Sequence, residues 1–324
     1  HDLSERMRAA FLKDMFGRYL SEEVTNTLLE NPDLVNLGGE KRSVAIMISD
    51  LRGFTALAER LAPEQVVQIL NTYFEVMVEV LLKYNATINE IVGDALLVMF
   101  GAPQEMPDRA QRAVACAIEM QNAMTRVNEE NRSLGLPDIE MGIGLNEDEV
   151  IVGNIGSSKR SKYGVVGSGV NMTSRIESYS VGGQILISES VRKEVGEIVR
   201  IDEQRTVIPK GSESPVKIYA VGGIGAPYHL ALMEKEPSLV PLERRVPLSY
   251  TLLGGKDVGS DQLRGLVTAL SEKGAEIELP ALLEPLTNIK MNLEEVSEEL
   301  ASKDFYGKVI ECVSKEQCQC IIRF

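Results

Sequence analysis

The chain has 324 residues, and its 48 acidic against 34 basic side chains give a formal net charge of −14. That charge repels phosphodiester backbones and anionic surfaces, so nucleic acid is not an expected partner, whereas a nucleotide chelated by a divalent cation is compatible with it. His1 and His229 are the only histidines, which argues against His-based triads and His-rich metal sites, and the four cysteines, Cys116, Cys312, Cys318 and Cys320, are expected as reduced thiols.

Residues 4–30 carry Met7, Phe11, Met15 and Leu20 at helical spacings and predict a helical lead-in. The next turn leads into "SVAIMISD", a short apolar run suited to a central strand that ends on Asp50. Residues 63–83 open with a proline in the first turn and repeat apolar residues at i, i+3 and i+4, the pattern of an amphipathic helix. "ATINEIV" and "ALLVMFG" predict a hairpin with Gly93-Asp94 at its tip, and a second long helix follows over about 107–132.

"IEMGIGL" and "EVIVGNIG" predict a strand pair joined through a turn at Asn146, Glu147 and Asp148. "KYGVVG" is a further strand, and "SGVNMTSRIESYS" a helix opening on Ser168. "QILISE", a short helix and "SPVKIYAV" close the region near Gly223. This order predicts an α+β sandwich rather than a doubly wound sheet. Residues 224–240 are a proline-containing linker with room for one short helix, and short alternating runs over 241–324 predict a small antiparallel β-barrel whose last strand is cut short. No apolar run near 20 residues and no signal peptide are expected, and the first residues read as the middle of a longer protein.

Chemistry concentrates at two aspartates. Asp94 interrupts the apolar run "NEIVGDALLVMFG", where an uncompensated carboxylate is costly, and Asp50 ends the central strand. Taken singly, each is the usual turn-capping aspartate. Taken together they are two hard oxygen donors suited to Mg²⁺ or Mn²⁺, and the "LRGFT" that follows Asp50 places a glycine and a helix start where backbone N–H groups can hold phosphate oxygens.

"ISDLRGFTAL", "INEIVGDALLVMFGAP", "VIVGNIGS" and "YGVVGSGVNMTSRIES", in this order and spacing, resemble the class III nucleotidyl cyclase catalytic domain over residues 38–223, with 1–37 resembling the lead-in of bacterial members. The resemblance implies a class III cyclase-type α/β sandwich. It also implies two divalent cations per site (Mg²⁺ or Mn²⁺) held by Asp50, the Leu51 backbone and Asp94, and a triphosphate cradle from Arg52, Gly53, Phe54, Thr55 and Lys210. Asn171 would orient the ribose and Arg175 would neutralise charge at the α-phosphate, both on one helix face. For Arg175 by itself the ordinary alternative is a surface salt bridge with Glu177 or Asp148.

In the family the aspartates and the Asn/Arg pair of one site come from different subunits, so a homodimer with two shared sites is implied. The purine-specifying positions fall on Glu90 and Gly164. A carboxylate at the first accepts from guanine N1–H and the 2-amine, which favours GTP over ATP, while Gly164 has no side chain to contribute. The ordinary alternative for Glu90 is a salt bridge near Lys83. The implied activity is conversion of GTP to cyclic GMP and pyrophosphate, with adenylyl cyclase as the alternative. A catalytically silent nucleotide-binding dimer module is the second alternative, and a third reading makes the cyclase fold a dimeriser for the C-terminal domain. The expected location is cytoplasmic, as the cytosolic part of a longer bacterial protein.

Residues 241–324 resemble a degenerate PilZ-type barrel. Its arginine motif falls on Arg244, Arg245 and Leu248, and its second motif on Ala269, Ser271 and Gly274. One arginine and the aspartate are missing, so cyclic di-GMP binding is not expected.

Overall fold

The structure, a computed structural model, describes residues 38–157, 160–209, 214–233, 239–253, 262–271, 274–284, 286–314 and 318–324. The expected lead-in helix and Lys210 lie outside the described residues. The chain divides into two compact units that meet in sequence at Met233 and Glu234.

The first unit is built on β1 (Gly38–Leu51), whose Val44, Ala45, Ile46 and Met47 are fully buried. A short helix α1 (Phe54–Ala58) and the long α2 (Pro63–Lys83) follow. Proline at the first position of α2 loses no helical hydrogen bond, and Gln65 accepts the Ala62 N–H at 3.0 Å to close the entry. By length and composition α2 could cross a bilayer, contrary to the expectation from the sequence. It instead buries Ile69, Tyr73, Met77 and Leu81 in the core of this unit, as its 3.6-residue periodicity requires.

The hairpin β2 (Thr87–Val92) and β3 (Ala95–Phe100) turns at Gly93-Asp94, with Gly93 at φ 63°, and α3 (Arg109–Ser133) packs a face rich in alanine against the sheet. Next come β4 (Met141–Ser157), β5 (Arg160–Val166), α4 (Ser168–Ser178), β6 (Ile185–Ser188) and α5 (Glu189–Val195). The unit closes with β7 (Val199–Val207), β8 (Val216–Ile224) and β9 (Leu230–Ala231). Strand order is β2-β3-β1-β4-β6-β8-β7, with β5 paired to β4 and β9 to β8. The β4–β6 pair is parallel and the other pairs are antiparallel, giving the mixed sheet with helices of an α+β sandwich.

Several expectations need correction. The turn expected at Asn146, Glu147 and Asp148 does not form: these residues continue β4, opposite Ile46, Ala45 and Val44 of β1. A partner is the reason, since Glu147 ion-pairs with Arg109 of α3 in a largely buried setting, which removes the need to expose it in a turn. Burial raises the Glu147 carboxyl above its ordinary range while the Arg109 charge opposes the shift. Replacing Arg109 by methionine should leave that carboxylate buried without its cation and cost about 3 kcal/mol, read as a lowered denaturant midpoint at unchanged m-value.

The strand β7, rich in charge, was not expected from the sequence. Helix α4 opens on Ser168 as expected, with Gly167 before it at the N-cap. No helix forms in the described part of the linker. The first unit runs on past Gly223 because Gly225 O accepts the Tyr228 and His229 N–H groups, and β9 then pairs with β8.

The second unit is a closed six-stranded antiparallel barrel. Its strands are β10 (Val240–Leu253), β11 (Leu263–Ser271), β12 (Gly274–Leu279), β13 (Asn288–Leu293), β14 (Phe305–Ser314) and β15 (Cys318–Arg323), with a one-turn helix α6 (Glu298–Ala301). The order is β10-β11-β12-β15-β14-β13, so β15, expected to be cut short, pairs on both sides and closes the barrel. Closure leaves no free sheet edge. Cys312 and Cys320, expected as thiols, stand opposite each other across β14 and β15 and are joined in a disulfide. Spacing along the chain could not show that register. Arg244 pairs with Glu295 and Arg245 with Glu278, while Leu248 and Ala269 are buried.

Candidate active site

Asp50, next to last in β1, and Asp94, in the β2–β3 turn, come within hydrogen-bonding reach of each other. The pairing of strands explains how the backbone between them is presented. Arg52 N–H donates to Glu140 O at 2.7 Å, so in the alternation of an antiparallel ladder the Leu51–Met141 pair is a non-hydrogen-bonded one. Leu51 therefore turns both its N–H and its carbonyl away from β4. The N–H donates to Asp94 Oδ2 at 3.3 Å, and the carbonyl is left on the side of the aspartates. Two carboxylates and one carbonyl form a hard oxygen donor set open on one side, which fits a divalent cation that shares its remaining positions with phosphate oxygens and water.

Burial, reinforced by the neighbouring Asp94 carboxylate, pushes the Asp50 carboxyl up to about 6, with Arg52 opposing. A raised carboxyl binds its proton more tightly in the folded state than in the unfolded one. Its contribution to stability is therefore complete below about pH 4 and lost as pH rises through about 6. In EDTA, the thermal midpoint of the wild type should fall relative to Asp50→Asn across that window, and Mn²⁺ should restore the wild type above pH 6. A pH-independent difference would count against a raised Asp50 carboxyl.

After Leu51 the chain turns through Arg52 and Gly53, whose φ of 64° suits glycine, into α1. The Phe54 side chain is buried in the core and Thr55 is exposed, so this segment offers first-turn N–H groups of a helix. Arg52 departs from the expected cradle. Its N–H is taken by Glu140, and its guanidinium ion-pairs with the buried Glu177 of α4. Of the expected cradle residues, Gly53, Phe54 and Thr55 follow Arg52 in this turn.

Asn171 and Arg175 lie one turn apart on α4, Asn171 exposed and Arg175 half-buried. Helix α4 can lie against β4 because Gly144 has no Cβ: one built there would be 2.5 Å from the Glu177 backbone nitrogen. Glu177, an alternative partner for Arg175, is engaged by Arg52, and Arg175 makes no side-chain ion pair among the described residues. Among the described residues, no hydrogen bond or ion pair joins Asn171 or Arg175 to the two aspartates of the same chain. The Arg52–Glu177 pair links the aspartate end of β1 to the helix that carries them.

Glu90 reaches the strand that carries Gly164. Glu90 ion-pairs with Lys162 Nζ at 2.9 Å, two residues before Gly164 on β5, and its alternative partner Lys83 is occupied by Glu119 at 2.7 Å. Asn89 Oδ1 accepts the Val165 N–H at 3.1 Å, tying β2 to β5. Lys162 and Asn89 were not singled out from the sequence. The two-residue spacing from Gly164 could have indicated Lys162, while nothing local indicated Asn89.

The adenylate and guanylate cyclase catalytic domain family matches residues 39–223, and the chain belongs to that family. The fold is similar to the crystal structure of the guanylyl cyclase Cya2, at 53% identity and TM-score 0.60 over 60% of this chain and all of that one. It is also similar to the adenylyl cyclase CyaB from P. aeruginosa, at 34% identity and TM-score 0.55 over 57% of this chain and 96% of that one. Among curated proteins, an uncharacterised protein of Mycobacterium tuberculosis, Rv1318c, is 32% identical over 69% of this chain and 40% of its own length. The chain spans less than half the length of the curated relatives it matches. Class III cyclases use divalent metal ions, and the donor set at Asp50, Leu51 and Asp94 suits them.

Proposed function

We propose that this cyclase domain acts on GTP, forming 3′,5′-cyclic GMP and pyrophosphate. The carrying observation is the Glu90 carboxylate, partly exposed at the sheet edge and facing the β5 strand of Gly164. Guanine presents N1–H and the 2-amine to such an acceptor, whereas adenine presents an N1 acceptor that would leave it unpaired. The higher identity to a guanylyl cyclase than to an adenylyl cyclase supports the same reading.

The ribose 3′-hydroxyl attacks the α-phosphorus and gives its proton to water, and the bond from the α-phosphorus to the bridging oxygen breaks so that pyrophosphate leaves. Two divalent cations would lower the pKa of that hydroxyl and neutralise the triphosphate. Asp50, Asp94 and the Leu51 carbonyl hold them, and the amides of Gly53 to Thr55 bind terminal phosphate oxygens. Asn171 and Arg175 of the partner subunit orient the ribose and meet the charge developing at the α-phosphate. The chain is in this reading a homodimer with shared sites. A distorted turn at Asn146, Glu147 and Asp148 would favour a catalytically silent module, and those residues instead lie in β4.

Adenylyl cyclase is the second reading, favoured by Lys162, whose ammonium beside Glu90 could donate to adenine N1. With Mn²⁺ and purified protein, kcat/KM for GTP should exceed that for ATP by roughly ten- to hundredfold, and Glu90→Lys should move the ratio towards ATP. A wild type that prefers ATP, or an indifferent Glu90→Lys variant, removes Glu90 from base reading.

A further inference from the structure

We propose that Asn89 reads the 6-position of the purine in place of the side chain that Gly164 lacks; the inference rests on the GTP reading and deepens it. The pairing of β2 with β3 slips by one residue at this point, since Ile88 stands opposite Val98 but Glu90 opposite Leu97. Such a bulge re-aims side chains that strict alternation would send to opposite faces. Here both neighbours reach β5: Glu90 touches Lys162, and Asn89 touches Val165.

A Cβ built on Gly164 would stand 3.1 Å from Asn89 Oδ1, so the Asn89 amide borders the space that a side chain at 164 would use. Its orientation follows from its partner. A backbone N–H can only meet the amide oxygen, so Oδ1 faces Val165 and the Nδ2 group, with two donors, is left without a partner among the described residues. The edge of β2 therefore offers a carboxylate acceptor and an amide donor on adjacent residues. Guanine matches that order, with N1–H and the 2-amine for Glu90 and O6 for Asn89. Adenine reverses it, setting its 6-amine against the Asn89 donor and its N1 acceptor against Glu90.

The plainer role for Asn89 is a clamp between β2 and β5, and the test separates the two. Asn89→Asp keeps an oxygen for the Val165 N–H but exchanges the donor for an acceptor. Its added charge affects both nucleotides, so the GTP/ATP ratio of kcat/KM is the readout. That ratio should fall about ten- to hundredfold with the thermal midpoint unchanged. A second measurement needs no variant: 6-thio-GTP keeps N1–H and the 2-amine but has a weak acceptor at position 6, so the wild type should use it about tenfold less well than GTP.

An unchanged GTP/ATP ratio in Asn89→Asp, or equal use of GTP and 6-thio-GTP by the wild type, overturns the role of Asn89. Inosine triphosphate, which lacks the 2-amine but keeps O6, reports on Glu90 separately. Poor use of inosine triphosphate together with equal use of 6-thio-GTP would retain Glu90 and reject Asn89. A wild type that prefers ATP would reject both.

Discussion

Alanine at Asp50 or at Asp94 should lower turnover by on the order of 10³-fold or more, the largest effect expected of any single change in this chain. The Asp94 carboxylate lies close enough to raise the affinity of Asp50 for a proton, and Leu51 N–H donates to Asp94. Losing either halves the carboxylate charge that would hold the cations, and no third acidic, histidine or cysteine side chain joins the pair among the described residues. Asparagine at Asp50 keeps the shape and loses the charge, so its activity should fall nearly as far as that of alanine. Saturating Mn²⁺ with near wild-type turnover in either alanine variant would overturn the assignment of the aspartates.

Arg175→Ala should be comparably damaging, because a guanidinium at the transferring phosphoryl group contributes about 10³-fold or more. Its location makes a sharper expectation possible. In the proposed dimer, Arg175 on α4 of one chain serves the aspartates of the other, so a complete site would need two chains. Mixing inactive Asp50→Ala with inactive Arg175→Ala in equal amounts should then restore about a quarter of wild-type activity. Half of the randomly formed dimers are mixed, and each has one intact and one doubly damaged site. Recovery should depend on subunit exchange and disappear when the two changes are placed in the same chain. If exchange is verified by mass and no activity returns, the shared-site arrangement is wrong.

The Arg52–Glu177 pair bears on both experiments. It joins the turn after Asp50 to the helix of Arg175 through a buried carboxylate, so it stands between the parts of a chain that would serve two different sites. Arg52 therefore braces the turn after Asp50 while its charge still acts on that carboxyl.

Periodicity along the chain was enough to place the main elements that carry the site. The apolar run ending at Asp50, the helix from Pro63, the hairpin tip at Gly93-Asp94 and the helix of Asn171 and Arg175 all form where local pattern puts them, because each buries one face or turns at a glycine with positive φ. The six short runs of the second unit likewise close into a barrel. Other features depended on partners distant in sequence. Glu147 and Asp148 read as turn residues until Arg109, on a separate helix, neutralises Glu147 and lets β4 run straight. The partner of Arg52, Glu177 on a separate helix, was not legible from its neighbours, and Cys312 meets Cys320 only through strand register. The same holds for the base-reading edge. Glu90 was legible from its spacing to Asp94, but Asn89 and Lys162 reach Gly164 and Glu90 only because a one-residue bulge turns β2 towards β5, and a bulge is set by how two strands pair rather than by either strand's own residues.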